Sequence, residues 1–181
     1  MLQRIFLAIN IPLEIKKELL EYKKKWPELP ARWTAQDNLH VTLVFLGNTS
    51  VKELEDVQKI VSNVAANHAP FTLSLSQITY GPTEKQPKMI WAIGKAPEEL
   101  LSLQQDLAKT LNHQEENSFS LHVTLARLNA WEFKKIEPEE RPHVEKEIFL
   151  NIPIHSIDIM ESKSKKDGTK YLTLKKVSLR A

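Results

Sequence analysis

Two histidines, each followed two positions later by a threonine, carry the chemistry that this sequence offers. His40-Val41-Thr42-Leu43 recurs as His122-Val123-Thr124-Leu125. The echo extends to Leu39 and Leu46 against Leu121 and Leu128, six identities in an eight-residue window, which points to a duplicated lobe. On an extended strand, side chains two apart share a face at a spacing of roughly 7 Å. His40 and Thr42 therefore present an imidazole beside a hydroxyl, while Val41 and Leu43 face a core. His122 and Thr124 do the same in the second copy. A lone histidine on a half-buried strand is commonly structural, bonded through one ring nitrogen to a backbone group. Recurrence changes that reading, because packing alone gives no reason for both copies to keep histidine and threonine on the polar face.

Imidazole titrates near neutrality, so a pair can hold one neutral base and one protonated acid at once. A phosphodiester needs both: a base to deprotonate the attacking water or hydroxyl, and an acid to protonate the oxygen that leaves. Threonine hydroxyls and nearby cations can hold the non-bridging oxygens where negative charge develops. Metal binding is the chemical rival, since neutral imidazole is a common zinc ligand. Two histidines and two threonines are too few strong ligands, and no Asp or Glu shares the polar face of either motif. Neither a metal nor another cofactor is expected. Arg127 is a separate case. Strict alternation from His122 puts Ala126 on the polar face instead, leaving Arg127 as an exposed strand-end residue unless a bulge brings it round.

The elements that must position these residues follow from periodicity. Arg4 to Ile11 reads as a strand, Leu13 to Trp26 as a helix opened by Pro12, and Trp33 as the start of an extended approach to the first motif strand, which closes at Gly47. Thr49 or Ser50 caps a helix from Val51 to about Ala66, with Leu54, Val57, Ile60/Val61 and Val64 at helical spacing. Phe71 to Leu75 alternates as a strand, Gly81-Pro82 turns, and Met89 to Ile93 returns antiparallel. A third helix begins at Pro97, with Leu100, Leu103/Gln104, Leu107 and Leu111 as its stripe. The second motif strand spans Phe119 to Leu128, and Glu132 to Glu147 reads as a short helix and a loop. Strands Ile154 to Glu161 and Lys170 to Leu179 finish the chain around a hairpin with Asp167-Gly168 at its tip. This order implies an α+β fold: one bilobal domain over residues 1–181, with two mostly antiparallel sheets lining a central cleft and helices outside. Terminal strands are free to cross between the lobes.

At 181 residues the chain has ample material for a core, and its net charge of +2 is too small to argue for nucleic-acid binding from bulk electrostatics. Basic clusters at Lys23–Lys25, Lys163–Lys170 and Lys175-Lys176 matter more. With no cysteine, disulfides, thiolate catalysis and Cys-ligated metals are excluded. No signal-peptide pattern and no stretch near membrane-span length is evident, so a cytoplasmic enzyme or adaptor fits.

The paired His-x-Thr-x motifs resemble those of the 2H phosphoesterases, and within them the bacterial and archaeal RNA 2′,3′-cyclic phosphodiesterases, also called 2′-5′ RNA ligases. Residues 4–9, Arg32-Trp33, Asn38 to Gly47, Ile90-Trp91-Ala92, His122 to Arg127 and the Ser162 to Leu174 hairpin carry the likeness over nearly the whole chain. Leu121 stands where the family often has proline. The resemblance implies the duplicated bilobal 2H fold and metal-free hydrolysis of an RNA 2′,3′-cyclic phosphate end to a 2′-phosphate. It implies His40 as proton donor to the leaving 3′ oxygen and His122 as proton acceptor from water, an order that the near-symmetric motifs do not settle by themselves. Thr42, Thr124 and Arg127 would bind phosphate. Reverse 2′-5′ ligation uses the same groups. The implied partner is RNA with a cyclic phosphate end, tRNA fragments included, met by a monomer. Phe6, Trp33, Tyr80 and Trp91 are candidates for base stacking, with core packing as the alternative, and the Lys163–Lys166 stretch with Lys170 for steering an RNA backbone. His68, His113, His143 and His155 lack the motif context. The rival functions are a diesterase for small cyclic nucleotides or 2′-5′ oligoadenylates, and a non-catalytic RNA-binding module.

Overall fold

A computed structural model describes residues 2–113, 118–165 and 168–180. Along the chain run β1 (Leu2–Asn10), α1 (Leu13–Glu21), β2 (Ala31–Trp33), β3 (His40–Ser50), α2 (Val51–Ala65), β4 (Phe71–Gly81), β5 (Met89–Ile93), α3 (Glu98–Thr110), β6 (His122–Leu128), α4 (Ala130–Phe133), β7 (Glu145–Ile154), β8 (Ser156–Lys165) and β9 (Gly168–Ser178). Among the described residues these strands make two sheets, ordered β3-β1-β8-β9 and β2-β6-β5-β4-β7, with every pairing antiparallel. The α+β architecture is as the periodicity and the resemblance imply. Strands cross between the halves in both directions: β2 precedes the first motif yet pairs with β6, and β8 and β9 complete the first sheet.

The second and third helices, α2 and α3, bury most of the stripe their sequence spacing marks. Ser50 is the cap of α2, accepting from the Glu53 amide while the Glu53 carboxylate accepts from the Ser50 amide. Leu54, Val57, Val61 and Val64 then turn inward. On α3, Leu100, Leu103, Gln104 and Leu107 are buried. The first helix is shorter than expected: α1 stops at Glu21 and its last turn tightens to a 3₁₀ turn over Tyr22–Lys25, ahead of Pro27. Its buried residues are Lys16 and Leu19, while Leu13 is exposed.

One strand escaped the sequence reading. The stretch expected as a short helix and loop holds α4 and a 3₁₀ turn, Pro138–Glu140, and then enters β7 at Glu145. Ile148, Leu150, Ile152 and Ile154 alternate inward along β7. Pro153 obscured the pattern, but β7 is the outer strand of its sheet, where a residue lacking an N–H is tolerated. The later strand accordingly begins at Ser156, not Ile154. At the β8–β9 hairpin, Lys166 and Asp167 lie outside the described residues. No helix of the described chain is long and apolar enough to cross a membrane.

Candidate active site

Both motif strands carry a bulge immediately after the threonine. Along β1 and β3, Leu7 pairs with Val44 and Ala8 with Thr42, so Leu43 is an extra residue. Along β5 and β6, Ile90 pairs with Ala126 and Trp91 with Thr124, so Leu125 is extra. Two consecutive residues, Leu43-Val44 or Leu125-Ala126, are then buried, and the alternation of faces inverts beyond them. Phe45 and Arg127 thereby come to the cleft beside His40, Thr42, His122 and Thr124. Strict alternation had put Ala126 there; it is fully buried instead. Each bulged carbonyl is held by the other half of the chain. Gln104 of α3 donates its Nε2–H to the Leu43 oxygen at 3.4 Å, and the Thr34 amide donates to the Leu125 oxygen at 2.8 Å.

The two imidazoles are anchored alike. His40 Nδ1 lies 2.7 Å from the Asn38 carbonyl oxygen and His122 Nδ1 lies 2.9 Å from that of Ser120. A carbonyl only accepts, so Nδ1 carries the proton in both rings and Nε2 is the nitrogen left for chemistry. Thr42 donates its hydroxyl to His40 Nε2 at 3.0 Å. Burial pushes the His40 pKa down to about 4, against the help of the Asn38 carbonyl and with added repulsion from Lys16, His122 and Arg127. Burial also lowers His122, opposed by the Ser120 carbonyl. Behind His40, Lys16 and Asp158 are themselves buried, which depresses the lysine and raises the carboxyl. Both histidines are thus neutral at neutral pH in the free protein. A bound phosphate would favour protonation of either.

The cleft holds about 700 Å³. Its floor on the first sheet is Phe6 and Tyr171: their rings lie 5.0 Å apart, Phe6 is 5.1 Å from the His40 ring, and Tyr171 stands edge-on to that imidazole at 5.0 Å. Trp33 lines the cleft. Trp91 does not: it stacks on His122 at 4.0 Å with planes 22° apart, over Gly81, where a Cβ would collide with the indole. Tyr80 is also elsewhere, donating to the Pro142 carbonyl at 2.8 Å. Arg127 rests a guanidinium N–H on Met89 Sδ at 3.5 Å. Among the basic hairpin residues, Lys163 is paired with Glu161 at 3.2 Å. His68 and His143 bond Asp106 and Glu145 away from the cleft.

Several cleft residues had no role in the sequence reading. Asn38 donates its side-chain N–H to the Thr169 carbonyl at 2.7 Å and accepts from the Tyr171 amide at 3.1 Å, so it ties β9 to the turn that leads into His40. Arg4, Arg32, Phe45 and Tyr171 also line the cleft. Arg32 packs so closely on Gly168, whose φ is +124°, that a Cβ there would collide with the guanidinium. Spacing cannot signal such residues, because they arrive from strands that pair across the sequence. No group of three or more histidine or carboxylate side chains among the described residues is arranged to hold a metal ion.

Comparison with known proteins gives relatives with the same fold. The family model described as LigT like phosphoesterase matches residues 9–91, which include the first motif. An RNA 2′,3′-cyclic phosphodiesterase of Thermus thermophilus is 29% identical over 98% of this chain and 90% of its own. One of Thermotoga maritima is 26% identical over 78% of this chain and 80% of its own. A crystal structure of a Thermus thermophilus protein superposes with a TM-score of 0.83 at 28% identity, covering 98% of both chains. With the fold matched end to end and RNA 2′,3′-cyclic phosphodiesterases aligned across most of its length, the chain is similar to the LigT-like phosphoesterases.

Proposed function

We propose that this protein hydrolyses the 2′,3′-cyclic phosphate at an RNA 3′ end to a 2′-phosphate, in one bilobal catalytic domain and without a metal. The observation that carries the reading is a pair of imidazoles on the walls of one cleft, each with Nδ1 tied to a carbonyl and Nε2 left for proton transfer. His122 takes a proton from water, the water oxygen attacks phosphorus, the bond from phosphorus to the 3′ oxygen breaks, and His40 gives that oxygen its proton. The substrate's own negative charge raises the His40 pKa from its low value in the free protein, which loads the acid as the phosphate enters.

The surroundings favour this order of roles. Phe6, Phe45 and Tyr171 line the His40 side, an apolar and aromatic wall suited to a nucleoside. The leaving oxygen belongs to that nucleoside, so the acid must stand on its side and water must approach from the His122 side. Thr42, Thr124 and Arg127 hold the non-bridging oxygens. Ligation follows the same proton transfers, with a 5′-hydroxyl attacking phosphorus in place of water and the 3′ oxygen again leaving. The partner is a cytoplasmic RNA with a cyclic phosphate end, tRNA fragments among them, bound by a monomer.

The test is a short RNA ending in 2′,3′-cyclic phosphate, incubated in EDTA, with the phosphate position of the product read by NMR. A 2′-phosphate is expected. A 3′-phosphate would reverse the bond cleaved, and no turnover would remove the assignment.

A further inference from the structure

Outward from the histidines, along β1, the cleft face runs through Phe6 to Arg4, one strand alternation or roughly 7 Å further. The Arg4 guanidinium lies over the Phe45 ring, 5.4 Å from its centroid, and Phe45 is 43% exposed at the cleft lip. Stacking fixes the plane of a guanidinium and leaves its N–H edge directed outward, ready for two parallel bonds to an oxyanion. Arg4 has no ion-pair partner among the described residues, and Glu161 on the neighbouring β8 is already engaged by Lys163. Ser162, which follows Glu161 on β8, lines the same stretch and adds a hydroxyl. The pseudo-equivalent place in the second half has nothing similar: Met89 stands opposite Arg127 where Phe6 stands opposite Phe45, and β5 begins at that methionine.

We infer that Arg4, held by Phe45 and assisted by Ser162, forms a second anion subsite for the phosphodiester on the 5′ side of the terminal nucleoside. This rests on the nucleoside lying on the His40 side, as proposed above. A 3′ end has chain only in its 5′ direction, and on that side the cleft leads to Arg4. The substrate class is thereby narrowed from any nucleoside cyclic phosphate to an RNA end with at least one further phosphate.

The experiment compares binding of three probes by calorimetry: adenosine 2′-phosphate, the same nucleotide bearing a methyl phosphodiester on its 5′ oxygen, and a diadenosine dinucleotide ending in 2′-phosphate. The wild-type protein is expected to bind the second and third about tenfold more tightly than the first, as one charge-assisted contact predicts. Arg4→Ala is expected to bring that advantage below twofold, and Arg4→Lys to retain part of it, since lysine keeps the charge but loses the planar fork. If Arg4→Ala does not fold by thermal melting, Arg4→Gln replaces it. Equal binding of the first two probes by the wild type, or an advantage that survives loss of the arginine, overturns the subsite. A preserved binding preference in a protein that fails to turn over cyclic-ended RNA would discard the proposed reaction and leave the subsite standing.

Discussion

Around His40 the neighbours are aromatic, with Phe6, Phe45 and Tyr171 on one side of the cleft; around His122 they are Arg127 at the front and Trp91 behind the ring. The strand registers equate the two sets position by position. Phe45 corresponds to Arg127, Phe6 to Met89 and Ala8 to Trp91. Identical motifs, the same bulge after each threonine and the same Nδ1 anchorage therefore carry different walls. The repeated part is what acid–base chemistry on phosphate requires twice. The divergent part gives the cleft a direction, an aromatic side and a cationic side, which the proposed reaction assigns to the nucleoside and to the developing charge.

Breaking either histidine is the strongest test of the repeated part. His40→Ala and His122→Ala are each expected to lower kcat on cyclic-ended RNA by about two orders of magnitude or more, with the thermal midpoint little changed. A variant near the wild-type rate would show that its half lacks the proposed role. The divergent part comes next. Arg127→Ala is expected to reduce kcat about tenfold or more, because the guanidinium acts on charge that develops at phosphorus. Phe45→Leu is expected to act on KM instead. Equal kcat losses in both would erase the distinction between the two walls.

The bulge supports offer a smaller effect, on stability. Gln104→Leu removes the donor to the Leu43 carbonyl and is expected to cost about 1–2 kcal/mol in denaturant unfolding. A larger loss of activity than of stability would show that the bulge also sets the cleft geometry at Phe45. The mildest test is titration. The folded pKa of His40, about 4, lies below that of the unfolded chain, near 6.5, so between those values the unfolded chain binds more protons. The stability from this group is complete above pH 6.5 and is lost as pH falls toward 4. NMR is expected to find His40 neutral down to about pH 4 in the free protein, and its pKa raised when inorganic phosphate is bound. A pKa that phosphate leaves in place would break the loading step.

Much of this was legible without coordinates. Most of the helices and strands, the capping of α2 and the buried stripe of α3 follow from local periodicity, because each element must present one apolar face. The histidine–threonine pairs were legible for the same reason, since a two-residue spacing determines a strand face wherever the strand lies. Arg127 marks the limit. Its face depends on the extra residue at Leu125, and that bulge exists only because β6 pairs with β5 and receives the Thr34 amide from across the molecule.

β7 shows the same limit at the level of an element. Its alternation is present, but Pro153 is acceptable only because the strand lies at a sheet edge, which pairing alone decides. Trp91 looked like a candidate for base stacking and instead backs His122, a placement made possible by Gly81 on a neighbouring strand. The sequence by itself determined which groups are proposed to do the chemistry and which face of each strand they share. Tertiary structure decided what surrounds them, the aromatic wall, the Arg4 lip, the Asn38 tie and the turn of Arg127, because those contacts join residues whose separation along the chain carries no periodic signal.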